Sequence, residues 1–161
     1  MMWLARAAQL AFPDLRFASL ADLAGHNDYM IDAQVAFLAK NNDFVRRMFD
    51  TRRERRRFLL AGNVTLDALY PEAWLLNAIG EPQQASAWLA PTLSALRLVP
   101  TEKLSDPVNA AALIQAMALQ AKLSRLIGDS AGAARWEGVV GALWQGADAS
   151  LQPHVQRMKG S

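Results

Sequence analysis

The chain has 161 residues, with 17 Lys and Arg against 15 Asp and Glu, which gives a formal net charge of +2. This length suits one domain with a hydrophobic core. The lack of Cys excludes disulfides and thiolate metal sites, and two His residues 128 positions apart argue against a histidine-rich metal site. We therefore expect no cofactor and no metal. Because no apolar run is long enough to span a bilayer, we expect a soluble, cytoplasmic protein without a membrane partner.

The residue pattern predicts an all-α protein. Ala and Leu dominate, Val and Ile are sparse, and no stretch alternates cleanly between apolar and polar residues. Turn and capping residues divide the chain into eight or nine helices. We expect a single domain with N-terminal helices in 1–25, helix pairs in 28–57, 65–98 and 106–146, and a C-terminal helix at 148–159.

Three residues carry predictions about helix ends. Asp43 is expected to cap the helix that follows it, since Asp is a favoured N-cap residue. Pro71 should kink its helix or delay its start, and Pro91 should interrupt another, because proline removes a backbone hydrogen bond.

Two stretches of the chain repeat each other at an offset of 48 residues: "IGEPQQASAWLAPTLSAL" from Ile79 and "IGDSAGAARWEGVVGALW" from Ile127. Gly80 and Gly128 should take the left-handed conformation that ends a helix. Trp88 and Trp136 should fill the space between successive helix pairs. A weaker first copy around residues 41–42 has Phe49 where the Trp would fall.

The turn "IG[DE]", followed by Ala85 or Ala133 five residues after the glycine, resembles the turn glycine and second-helix alanine of tetratricopeptide repeats. The ending "ALWQGADASLQPHVQRM" resembles the last repeat of tetratricopeptide regions that follow bacterial serine/threonine kinase domains. The resemblance covers roughly residues 28–158 and is clearest in the last two repeats. It implies antiparallel helix pairs stacked as a short α-solenoid, although the offset exceeds the family's usual 34 residues.

The resemblance also implies a function and a binding surface. The function is that of a non-catalytic protein or peptide interaction module, as a regulatory C-terminal part or fragment of a larger signalling protein. Homo-oligomer formation is a further expectation. The groove-facing positions of the first helices are Asp67, Tyr70, Trp74, Asn77, Gln115, Lys122 and Arg125. The alternative that the N-terminal helices fill this groove stays open.

Basic residues concentrate in residues 46–57, which hold seven Arg and a net charge of +5, leaving −3 for the rest of the chain. On a helix, the last arginines continue the stripe of Val45, Met48 and Phe49. Either the helix runs past the core into water, or these arginines meet an acidic partner or an anion. The candidate anion-binding residues are Arg52, Arg55 and Arg56. Such local basicity makes nucleic acid a disfavoured partner, and an anion- or nucleic-acid-binding helical domain is one alternative function.

The stretch "GHNDYMID" from Gly25 is the best candidate for acid–base or cation chemistry, through His26, Asp28 and Asp32. The competing interpretation is a loop histidine beside a helix cap. The sequence holds no glycine-rich phosphate loop, nucleophile elbow or kinase signature. We therefore expect no catalytic residue. The alternative is a small hydrolase-like helical enzyme that uses these residues or the arginine stretch.

Overall fold

The computed structural model describes residues 29–59, 66–96, 102, 105–143 and 145, with the backbone alone for residues 54–59 and 67. Over these residues the all-α prediction is confirmed, since they contain helices and no strand. The helices predicted in 1–25 and at 148–159 lie outside the described residues. The six described helices are α1 Tyr29–Leu38, α2 Asn42–Leu59, α3 Leu66–Ala78, α4 Pro82–Ser94, α5 Pro107–Leu126 and α6 Ser130–Leu143.

The chain divides into two compact units, Met1–Phe58 and Leu59–Ser161. The first unit holds α1 and nearly all of α2, and its buried side chains include Met30, Val45 and Phe49. In the second unit α3 contacts α4, and α5 contacts α6. Helix α5 also contacts both α3 and α4. The first helix of the second pair therefore packs across both helices of the pair before it.

The turn between α3 and α4 is a Schellman turn. Gly80 has φ 87° and donates its N–H to the carbonyl of Asn77 at 3.0 Å, while Glu81 donates to the carbonyl of Leu76 at 3.0 Å. These two bonds satisfy carbonyls that the helix end leaves unpaired. Gly128 has φ 84° and makes the same pattern between α5 and α6. The predicted left-handed conformation of both glycines is confirmed.

The turn between α1 and α2 repeats this geometry without glycine. Lys40 has φ 58° and donates to the carbonyl of Phe37 at 2.9 Å, and Asn41 donates to that of Ala36 at 2.8 Å. Aligning Lys40 with Gly80 makes Met48 the counterpart of Trp88. The sequence alignment, which gave that place to Phe49, is wrong by one residue because it matched Asn41 to the turn glycine.

The N-terminal caps differ from the prediction at α2. The side-chain Oδ1 of Asn41 accepts the N–H of Phe44 at 3.2 Å, so Asn41 caps the helix. Asp43 already lies within the first turn, where it forms an ion pair with Arg46 at 2.7 Å. The prediction that Asp43 is the cap is wrong, because a capping residue must lie just outside the helical backbone.

The two internal prolines do not end their helices. Helix α3 runs through Pro71 and α4 runs through Pro91, so the predicted late start and interruption are both wrong. At Pro91 the helix loses the hydrogen bond to the carbonyl of Ala87. Both residues are exposed, so water can reach this face of the helix and the lost bond is tolerated.

Each first helix of the second unit carries one buried polar residue at the same repeat position. Glu72 accepts a hydrogen bond from Trp88 Nε1 at 2.6 Å, and both residues are buried. Gln120, its counterpart 48 residues on, donates instead to Ser86 Oγ at 2.8 Å. The buried Oε1 of Gln120 has no hydrogen-bond partner. Trp136 is only half-buried, with the Arg135 guanidinium 5.2 Å above its ring centre.

Candidate binding cleft on α5 and α6

A cleft of about 530 Å³ lies between α5 and α6, and most of its surface is apolar. Two of its lining residues, Glu137 and Val140, come from α6. The α5 wall consists of Ala118, Ala121, Lys122, Arg125 and Leu126. Residues spaced three and four apart share one face of a helix, which explains how α5 presents this wall.

Small side chains create the volume of the cleft. Ala118 and Ala121 reach only one carbon beyond the backbone, and both Ala121 and Val140 are buried. At one end Leu126 leaves 57% of its surface exposed. The cleft thus combines a buried apolar floor with an exposed apolar edge, where a bound side chain would lose contact with water.

An ion pair joins the two walls of the cleft. Arg125 Nη2 lies 2.6 Å from Glu137 Oε1, and the Glu137 side chain is only 18% exposed. Lys122, one turn before Arg125, is exposed and forms no ion pair within the part of the chain that the structure describes. Because Glu137 already balances Arg125, the remaining positive charge of the lining is that of Lys122.

The predicted groove residues occupy matching places on α3 and α5. Trp74 and Asn77 are the repeat counterparts of Lys122 and Arg125. On α3, Tyr70, Trp74 and Asn77 are half-buried, and burial raises the pKa of Tyr70. For Asp67 only the backbone is described. Only Lys122 and Arg125 of the predicted set line the cleft.

The remaining predicted groove residue, Gln115, is exposed on α5 and lies outside the cleft lining. The sequence analysis missed the other cleft residues because they carry no distinctive chemistry. The 48-residue offset already held one signal, since it places Ala118 at the position equivalent to Tyr70. The α6 wall was missed because only first helices were considered.

The arginine stretch on α2 makes local ion pairs. Arg46 pairs with Asp43 at 2.7 Å, and Arg53 pairs with Asp50 at 3.6 Å. Arg52 is exposed, while the side chains of Arg55 and Arg56 lie outside the described residues. Exposed pairs of this kind contribute at most about 1 kcal/mol each.

The residues proposed for acid–base chemistry fall mostly outside the described part. His26 and Asp28 are not described, and Asp32 is half-buried in the first turn of α1. Among the described residues, no three or more His, Cys, Asp or Glu side chains are grouped to hold a metal ion. Of the helices described, none combines the length and apolarity needed to cross a membrane.

Comparison with known proteins adds no further assignment. No family model, no curated protein and no solved structure matches the chain. The cleft between α5 and α6 therefore carries the functional argument.

Proposed function

We propose that this chain is a non-catalytic helical-repeat module of tetratricopeptide type, which binds a peptide or protein segment in the cleft between α5 and α6. The observation that supports it is the position of Lys122 beside an apolar cleft of about 530 Å³. Ligand sites in proteins are commonly concave, largely apolar and of this size, with a few polar groups that fix orientation.

The chemistry of the lining favours a peptide with one apolar side chain and one carboxylate. The apolar side chain enters between Ala121 and Val140, while the carboxylate pairs with the exposed ammonium of Lys122. Arg125 is held by Glu137 and forms a fixed wall. Burial of the apolar group supplies most of the binding free energy, and the charge pair orients the peptide.

Repetition within the second unit supports the tetratricopeptide part of the proposal. At the 48-residue offset, the end of α3 at Ala78 matches the end of α5 at Leu126. The start of α4 at Pro82 likewise matches the start of α6 at Ser130. Each pair is joined by a Schellman turn with glycine at its centre. Stacked pairs of this kind present continuous surfaces suited to binding other chains.

A peptide library tests this function. We expect random peptides of about 20 residues, selected on the full chain, to yield binders whose affinity falls by about 1 to 2 kcal/mol in Lys122→Glu, measured by isothermal titration calorimetry. The control is Arg47→Glu, an exposed residue of α2 that changes the net charge equally. Binders that lose equal affinity in both variants would show that net charge, and not the cleft, holds them.

A further inference from the structure

The α5–α6 cleft has a counterpart in the preceding helix pair. At the 48-residue offset, Ala121, Glu137 and Val140 correspond to Ala73, Leu89 and Thr92. All three counterparts are buried, with at most 3% of their surface exposed. Helix α5 contacts both α3 and α4, and its Gln120 donates to Ser86 of α4. The surface of the first pair is thus covered by a helix.

From this correspondence we infer that the cleft takes an amphipathic α-helix of a partner protein, carrying an apolar stripe and an adjacent carboxylate. The helix lies against α5 and α6 as α5 lies against α3 and α4. This inference rests on the proposed function and specifies the partner's conformation and charge.

Helix α5 shows what such a surface requires of its occupant. Its buried residues include Ala112, Ala116 and Ser124, small side chains that allow close approach between helices. The cleft offers small residues in return, at Ala118 and Ala121. Two helices with small residues at the contact approach to the short end of the usual 8–10 Å interaxial distance. A helical partner therefore buries more apolar surface here than an extended strand.

The charge of the cleft distinguishes the partner helix from α5 itself. The counterpart of Lys122 on the covered pair is Trp74, which is half-buried and uncharged. A helix that covers Lys122 without supplying an anion would bury an unpaired ammonium, which is costly. The partner consequently places an Asp or Glu opposite Lys122, one turn from its apolar stripe.

The experiment uses the peptides selected from the random library on the full chain. We expect them to share apolar residues at i, i+4 and i+7 with a neighbouring acid, and to gain helical circular dichroism on binding. A central proline should weaken them by at least about tenfold, since it breaks a helix. Ala118→Trp should block the cleft and weaken binding by at least about tenfold, whereas Ala131→Trp, on an exposed part of α6, should not.

Each outcome separates one idea from another. Selected peptides that stay extended, tolerate the central proline and still respond to Lys122→Glu overturn the helical inference and leave the proposed function standing. Peptides insensitive to both Lys122→Glu and Ala118→Trp overturn both. A chain dimer in sedimentation that the peptide disperses makes a second copy the occupant. Stronger peptide binding by the full chain with Leu151→Asp and Val155→Asp makes its own C-terminal residues the occupant, and both results overturn the inference.

Discussion

The indole Nε1 of Trp88 donates a 2.6 Å hydrogen bond to Oε2 of Glu72 and so links α4 to α3 inside the second unit. Trp88 is 5% exposed and Glu72 is 7% exposed. A buried carboxylate must be paired, because its transfer out of water costs several kcal/mol when no partner replaces the solvent. The tryptophan therefore serves two purposes, since its ring fills the core and its N–H satisfies an acidic group.

Truncation of Trp88 tests this double role. We expect Trp88→Ala to lower the free energy of unfolding by about 3 to 5 kcal/mol, as for other buried aromatic residues. Trp88→Phe retains much of the ring but loses the N–H, and should cost about 1 to 3 kcal/mol. Trp136→Ala, at the half-buried repeat position, is the control and should cost less than Trp88→Ala. Urea denaturation measures all three, and an unchanged midpoint for Trp88→Ala would contradict the packing assignment.

The three Schellman turns make opposite predictions for glycine and lysine. Gly80→Ala and Gly128→Ala should each destabilise the protein by about 1 to 2 kcal/mol, because L-residues resist the left-handed conformation. A Cβ at either glycine would meet no atom within 4 Å, so the cost is conformational. Lys40→Gly, at φ 58°, should stabilise α1 and α2 by up to about 1 kcal/mol. Thermal unfolding checks the signs, and a stabilising Gly80→Ala would contradict the turn geometry.

The caps of α4 and α6 form a matched pair. Asp129 Oδ1 accepts the N–H of Gly132 at 2.8 Å, whereas Glu81 makes no side-chain bond to the backbone of α4. We expect Asp129→Ala to cost about 1 kcal/mol and Glu81→Ala to cost less, because only the first removes a cap. Denaturant titration of both variants gives the comparison. Equal losses would mean that the charge at the helix N-terminus, and not the hydrogen bond, stabilises α6.

A double substitution tests the buried amide of Gln120. Ser86→Ala removes its hydrogen-bond acceptor and should cost about 1 to 3 kcal/mol, because the amide nitrogen is then buried without a partner. Ser86→Ala combined with Gln120→Leu removes both polar groups and should recover most of that loss. A double-mutant cycle measures the coupling. Additive losses would show that the two residues contribute independently.

How much of this could be predicted from the sequence depended on whether the cause was local. The left-handed conformation of Gly80 and Gly128 was predictable, because only glycine takes it without steric cost. The same turn at Lys40 was missed, since nothing in the lysine indicates that conformation. Pro91 was expected to end its helix, but its exposed position lets the helix continue.

The cleft was only half predictable. Lys122 and Arg125 were found because charged residues on a first helix suggest binding. Ala118, Ala121 and Val140 were missed, because a cavity arises where small residues of two helices face each other. That property belongs to the packing of the pair and to no single residue. The pairing of Trp88 with Glu72, 16 residues earlier, was hidden for the same reason.

The contacts of α5 with α3, α4 and α6 also bear on how fast the second unit folds. Within residues 66–143 the helices in contact are adjacent in the chain or separated by a single described helix. Chain closure between them therefore costs little entropy, and domains dominated by such short separations fold in microseconds to milliseconds. Either helix pair can serve as the nucleus onto which the other condenses, because both are closed by a short turn of the same geometry. A change confined to one pair would then shift the folding route toward the other pair.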